Sequence, residues 1–206
     1  ASVYQALELP LIPPELRENR GEIEAAAEKR LPKLIERKDI QGDLHVHTDA
    51  SDGRNTLEEM ARAARQQGLK YIAITEHSGR LKFAGGLEAP RLMRQIDEID
   101  HLNEKLKGIR ILKGLEAEIL KDGKLDVPEV ALARLDLVVG TVHTHFDLTL
   151  EKQTTRILRA MDQRYFSMLA HPTGRKINQR EPYLVDLTRI IHKARERGCF
   201  LELNAN

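Results

Sequence analysis

The chain has one cysteine, no tryptophan, four phenylalanines and four tyrosines among 206 residues. The single thiol, in Cys199-Phe200-Leu201, excludes an internal disulfide framework and a thiolate zinc cage, and it suits a reducing cytoplasm. Charge of one sign is missing as well: 33 Lys and Arg nearly cancel 32 Asp and Glu. No overall field therefore draws the chain to nucleic acid or a membrane, and any polyanion must be held locally. No apolar run approaches the roughly 18 residues that a membrane helix needs, and no signal-peptide pattern is found. A Gly-x-Ser-x-Gly elbow, a Walker loop and a Gly-x-Gly-x-x-Gly turn after a strand are all missing, which removes the common hydrolase, nucleotide-binding and dinucleotide-binding schemes. What is present is 41% hydrophobic content, enough for one core and a small appendage in a soluble protein.

Residues 1 to 40 stand apart. Leu9-Pro10-Leu11-Ile12-Pro13-Pro14 predicts a rigid, extended leader, and Gly21 to Lys38 carries a charged helical pattern, so this stretch reads as a linker or docking arm. Beyond it, strand-like and helical runs alternate. Strands are predicted at 43–47, 71–75, 109–116, 137–143, 167–171 and 199–204, and helices at 56–67, 90–107, 150–161 and 183–197, with a short helix opened by Pro128. Thr56-Leu57-Glu58-Glu59 has capping-box spacing and Gly68 supplies the stop. In helix 183–197, Leu184, Leu187, Ile190 and Ile191 are expected to face the core. Such alternation predicts a parallel α/β sheet, closed as a barrel or doubly wound.

The barrel is favoured by where the histidines fall. His45 and His47 end the first strand, and alternate residues of a strand share a face, so two imidazoles can grip one ion. His77, Glu116, His143 and His171 end four further apolar runs, and in a barrel such strand ends share one mouth. Singly each has a bland reading: His-x-His as a surface pair, Asp52 as a turn former before Gly53, Glu116 as an exposed strand-end acid. Together they describe a metal site without thiolate, and Glu116 is placed to bridge two cations. Asp43 and Glu76 are expected to accept the free ring N–H of liganding histidines and fix their tautomer. His101 and His192 lie mid-helix and read as surface residues, and His145 is left outside the ligand set.

Asp43-Leu44-His45-Val46-His47-Thr48, Ser51-Asp52-Gly53, Thr75-Glu76-His77-Ser78, Gly114-Leu115-Glu116, Val142-His143 and Leu169-Ala170-His171-Pro172 together resemble the polymerase and histidinol phosphatase (PHP) superfamily, over residues 42 to 206. The resemblance implies a distorted seven-stranded, TIM-like β/α barrel and a trinuclear metal centre for phosphoester hydrolysis. Tyr4 to Pro10, Ile12 to Arg17 and Gly21 to Ala26 resemble the junction of bacterial and archaeal family X DNA polymerases, where a polymerase thumb gives way to a PHP domain. Ser78 to Leu87 and His171 to Arg175 are similar to that subfamily too.

The resemblance implies a first cation held by His45, His47 and Glu116, a second by Glu116, His143 and His171, and a third by Asp52 and His77. The family's final Asp and His fall beyond Asn206, on a seventh strand, so the chain reads as truncated and its third site as the weakest. The implied cofactors are two to three divalent ions, manganese first, with zinc or iron allowed by the ligand set. The implied reaction is in-line attack of a metal-activated water on a DNA phosphodiester, as a manganese-dependent 3′ to 5′ exonuclease or a 3′-end or abasic-site repair activity. Glu116, His143 and His171 would be its catalytic residues, and Arg80, Lys82, Arg175 and Lys176, which follow ligand-bearing strand ends, would grip phosphate. The implied partners are DNA and the polymerase core of the same parent chain. A histidinol-phosphatase-type small-molecule phosphatase and a non-catalytic structural PHP domain are the alternatives.

Overall fold

The structure, a computed structural model, describes residues 2–203. The chain divides into two compact units, residues 1–40 and 41–206.

The first unit holds helix α1 (Ser2–Ala6), a 3-10 turn at Pro14–Leu16, helix α2 (Glu22–Ala27) and a second 3-10 turn at Arg37–Asp39. Residues 9–13 carry no helix or strand, and Pro13 has the extended φ −55° and ψ 142°; beyond the 3-10 turn the Arg17 guanidinium donates to the Ile12 carbonyl at 2.9 and 3.0 Å and lies 5.3 Å from the centre of the Tyr4 ring. The helical reading of 21–38 holds only for α2. Lys29 adopts φ +58°, and Pro32 follows three residues later, a residue that removes a backbone donor and cannot extend a helix.

The second unit is a six-stranded, wholly parallel sheet whose strands pair in chain order. They are β1 (Gly42–Val46), β2 (Tyr71–Ile74), β3 (Arg110–Glu118), β4 (Leu137–Thr141), β5 (Met168–Leu169) and β6 (Phe200–Leu201). Between them run α3 (Leu57–Gln66), α4 (Ala89–Lys105), α5 (Glu129–Leu132), α6 (Leu150–Met161) and α7 (Leu187–Arg197). Six strands were predicted and six are found among the described residues; Asn204, the last residue of the predicted sixth, lies outside them. Among the described residues the edge strands β1 and β6 are not paired, yet His45 beyond the middle of one reaches Glu202 just past the other, so the sheet curls round.

Strand alternation divides the core. Ile72 and Ile74 of β2 pack with Ala61 of α3 and Ile99 of α4, and Leu115 and Ala117 of β3 pack with Ile96 of α4, Ile157 of α6 and Ile190 of α7. Ala73, Val139, Met168 and Ala170 form a separate apolar cluster with Leu44 and Leu112 on the opposite face. By the same period of two, Glu116 and Glu118 belong to that inner face. Burying each Ile or Leu of the outer layer contributes about 1.5–3 kcal/mol, which fixes the strands whose ends carry the polar residues.

Local signals set the connections. Thr56 and Glu59 form the expected reciprocal cap, the Thr56 hydroxyl accepting from Glu59 N–H at 3.3 Å and the Glu59 carboxylate from Thr56 N–H at 2.9 Å. The helix predicted from 183 begins only at α7, capped by the Asp186 carboxylate, which accepts from Arg189 N–H. Tyr183 belongs instead to a loop, its N–H donating to Thr173 O and its ring stacked 5.8 Å from Phe146. Leu184 is therefore off the helix and exposed, and within α7 only Ile190 and Ala194 are buried, while Leu187 and Ile191 are not.

Candidate metal centre

All the strands' C-terminal ends lie at one rim because every pairing is parallel. The rim gathers the predicted ligands around one carboxylate. Glu116, 1% exposed, lies 3.4 Å from His45 Nε2, 3.5 Å from His47 Nε2, 2.7 Å from His77 Nδ1, 3.6 Å from His143 Nε2 and 3.2 Å from His171 Nε2. Asp52 completes the group, 3.3 Å from His77 Nε2 and 3.6 Å from His47 Nδ1. Gly53 allows this: a Cβ there would come within 2.7 Å of the His47 and Thr48 carbonyl oxygens, so only glycine lets the loop fold back on the strand end.

His171 reaches the cluster by a backbone departure. Alternation would send it outward with Leu169, but its φ of +25° and the stop at Pro172 turn the chain. Three ligand-atom groups lie within 4.8 Å of one another: His45 with His47 and Glu116, His47 with Asp52 and His77, and His77 with Glu116 and His143. The first matches an expected triad. In the other two, His47 joins the Asp52–His77 pair, and His77 takes the place beside Glu116 and His143 that the resemblance gives to His171.

These groups fit cations. Among the described residues, His45 Nε2, His47 Nδ1, His77 Nδ1, Glu116 Oε2 and His143 Nδ1 are buried with no hydrogen-bond partner, a costly state for polar atoms unless another ligand satisfies them. The donor set of imidazole nitrogens and carboxylate oxygens, without sulfur, is that of manganese, zinc or iron sites.

Electrostatics divide the ligands: without a cation His45 holds a proton that a metal must displace, while His47 is already neutral. Burial alone would raise the Glu116 pKa, but contacts from His171, His45 and His77 outweigh it and hold the carboxyl well below the usual range. Burial alone would lower the pKa of His45, yet Glu116 and Glu202 carry it up to about 10. Burial pushes His47 down to about 4 despite Glu116, which keeps it in the neutral form that coordinates metals.

Residues that the sequence reasoning missed hold the ligands in place. Glu202 Oε1 lies 2.6 Å from His45 Nδ1, and Glu202 Oε2 accepts the His171 N–H at 2.6 Å. Buried Glu118 accepts the backbone N–H groups of His143 and Thr144 at 3.0 and 3.1 Å and lies 3.3 Å from His143 Nδ1. Behind it Arg156, also buried, pairs with Glu118 at 3.3 Å and donates to the Thr144 carbonyl at 2.8 Å. The ring-orienting role expected of Asp43 is thus a misassignment: exposed Asp43 accepts the backbone N–H of His45, and Glu202 faces the ring.

Glu76 differs in another way. Fully buried, it accepts from Thr48 N–H at 3.0 Å, from the Thr48 and Ser51 hydroxyls and from Gln95 at 3.1 Å, and it stands 4.0 Å from His47 Nδ1. It organises the loop that carries Asp52 more than it orients a ring. Arg80, Lys82, Arg175 and Lys176 are all exposed in the segments that follow β2 and β5, Lys82 opening a 3-10 turn (Lys82–Ala84). His101 and His192 are exposed on α4 and α7, as expected.

The class is that of curled parallel β/α units whose strand ends gather imidazoles and carboxylates able to hold metal ions. The chain belongs to the PHP domain family, which matches residues 43–206. It is 43% identical over 203 residues, 98% of this chain and 35% of the other, to DNA polymerase/3′-5′ exonuclease PolX of Bacillus subtilis (strain 168). It is 37% identical over 169 residues, 79% of this chain and 64% of the other, to a probable phosphatase of Acetivibrio thermocellus. The chain thus spans about a third of PolX and under two thirds of that phosphatase.

Among solved structures, the one assigned as histidinol phosphatase hisK of Listeria monocytogenes superposes with a TM-score of 0.58 at 14% identity, over 80% of this chain and 82% of that one. Histidinol phosphate phosphatase of Lactococcus lactis, complexed with zinc, L-histidinol and phosphate, gives 0.52 at 16% identity, over 80% and 73%. These likenesses establish the fold.

Proposed function

We propose that this domain is a divalent-metal-dependent phosphoesterase acting on DNA, trimming or repairing 3′ ends as part of a family X polymerase. The observation that carries the reading is Glu116, buried with five imidazoles within 3.6 Å of its oxygens. Supporting it, the alignment with PolX takes in 98% of the chain, and so nearly all of residues 1–40, which we assign as the arm between a polymerase core and this domain.

His45, His47 and Glu116 would hold one cation, Glu116, His143 and His171 a second, and Asp52 with His77 a third, manganese being preferred. When bound, such cations lower the pKa of a water and offset charge on phosphoryl oxygens. The chain's own residues supply the positioning. Glu116 stays ionised between sites, Glu202 fixes the ring of His45, Glu118 holds the backbone of His143 and Thr144, and Arg80, Lys82, Arg175 and Lys176 engage the strand's phosphates. Phe83, 89% exposed beside Lys82, offers a face on which a base can stack, a contact worth about 1–3 kcal/mol. The work is placed in the cytoplasm, consistent with the lone thiol; among the described residues no helix is long and apolar enough to cross a membrane.

The fold likeness to the Lactococcus enzyme favours one competing reading, a phosphatase of small molecules. Manganese-dependent digestion of a 3′-labelled oligonucleotide, run beside hydrolysis of histidinol phosphate, separates the two. Shortening of the oligonucleotide is expected. Turnover of histidinol phosphate alone would replace the nuclease reading, and inactivity on both would leave a structural domain.

A further inference from the structure

Just beyond three of the strands that carry the cluster, the chain opens a separate cavity of 260 Å³, walled by Arg80, Leu120, Lys121, Asp122, Thr144 and His145. Arg80 follows His77 by three residues, Leu120 and Lys121 follow Glu118, and Thr144 and His145 follow His143. The cavity therefore belongs to the same rim as the metal centre, but no ligand residue lines it.

Its wall is basic and built. Arg80, Lys121 and His145 are exposed; the Arg80 backbone N–H is held by the Asp126 carboxylate, while neither the Arg80 guanidinium nor the Lys121 ammonium is in an ion pair among the described residues. Asp122, the one acid, is already engaged, accepting Lys124 N–H at 3.0 Å with the Lys124 ammonium 3.9 Å away. The scaffold behind is fixed. The Thr144 hydroxyl donates to buried Glu118 at 2.7 Å and the Thr144 carbonyl accepts from Arg156. Asp126 receives the Ser78 hydroxyl at 2.8 Å and Glu118 N–H at 3.0 Å, which anchors both sides of the opening. His145 has φ +58°, a conformation that costs a non-glycine residue of order 1–3 kcal/mol and that surrounding structure must impose.

Two unpaired cations and an imidazole around a small open cavity match the charge and the several acceptor oxygens of a phosphate. The volume is below the roughly 300–1,000 Å³ typical of sites for a whole drug-sized ligand, and it suits one phosphate with part of its sugar. We propose that this cavity binds the backbone phosphate adjacent to the scissile one in a DNA strand, an inference that rests on the nuclease reading. It explains how a chain with no net field holds a polyanion: the contact is local and sits one step along the strand from the metal centre. A monoester of a small molecule has no second phosphate to place there.

The test is binding, not turnover. Anisotropy of a 5′-fluorescein oligonucleotide, measured in chelator across a range of NaCl, gives Kd and the slope of log K against log salt. Arg80→Ala and Lys121→Ala are each expected to raise Kd roughly fivefold and to flatten the slope by about 0.7, the value for one single-strand phosphate contact. Lys107→Ala, at the opposite strand ends, should change neither. If the wild-type protein binds and both cavity variants keep its Kd and slope, the assignment of the cavity is overturned while the nuclease reading stands. If the wild-type protein does not bind the oligonucleotide, both fall.

Discussion

Glu202 lies 2.6 Å from His45 across the gap between the two edge strands of the sheet. Its other oxygen accepts the His171 backbone N–H, so one carboxylate orients two of the residues around Glu116. Carboxylates that face a liganding imidazole in this way usually contribute tenfold to a hundredfold in metal affinity. Glu202→Gln is expected to weaken manganese binding by about that factor, as measured by calorimetry. Unchanged affinity would mean that His45 needs no orienting partner.

His143 and His192 make a matched pair of controls, one in the cluster and one exposed on α7. His143→Ala should abolish hydrolysis and keep the circular dichroism spectrum and melting profile of the folded chain, whereas His192→Ala should change little. Equal activity of the two variants would reject the ligand assignment.

The Glu118–Arg156 pair, at 0% exposure on both sides, makes a prediction about stability. Removing one partner of a buried ion pair leaves the other charge uncompensated, so Arg156→Ala should cost about 3–5 kcal/mol in urea unfolding. The pH dependence follows from Glu118. Burial alone would raise its pKa, but contacts from His143 and Thr144 prevail and hold it below 4.5. The folded form therefore binds the proton less well than the unfolded chain. The stabilisation is complete above about pH 4.5 and is lost as the pH falls through the lower folded value. Glu118→Gln should flatten that acid limb in urea titrations at successive pH values.

Metal should stabilise the fold by mass action. At a free manganese concentration a hundredfold above Kd the gain is about 2.7 kcal/mol, equivalent to a rise in Tm of about 5–10 °C for a chain of this size. Affinity should also climb with pH, because His45, carried up to about 10 by Glu116 and Glu202 against the effect of burial, must lose its proton to coordinate. A chelator scan by differential scanning fluorimetry at pH 6 and pH 8 checks both. A Tm indifferent to manganese would remove the metal centre.

The parts of this architecture that are written locally could be read from the chain. His45, His77, Glu116, His143 and His171 each follow an apolar run, and the Thr56–Glu59 cap and the Gly68 stop are short-range signals. Glu118 was within reach: Glu116-x-Glu118 repeats the alternation of His45-x-His47, but the strand was read as ending at Glu116, two residues early. Glu202 and Arg156 carried no such sign. Their partners lie 157 and 38 residues away, and nothing in the periodicity of an isolated stretch reports a contact across a curled sheet. Helix 183–197 was drawn too long because Leu184 fits the apolar spacing, although Asp186 held the stronger signal, a side-chain cap. Asp43 was misassigned since a carboxylate two residues from a histidine can turn to its backbone as readily as to a ring.

The bond between His45 and Glu202 also sets a timetable for biosynthesis. On a ribosome that emits the chain from its amino end, the first histidines emerge long before the acid that steadies one of them. The pairing of His45 with Glu202 forms only once the sixth strand has been made, so shorter nascent chains carry the His45 ring without its carboxylate.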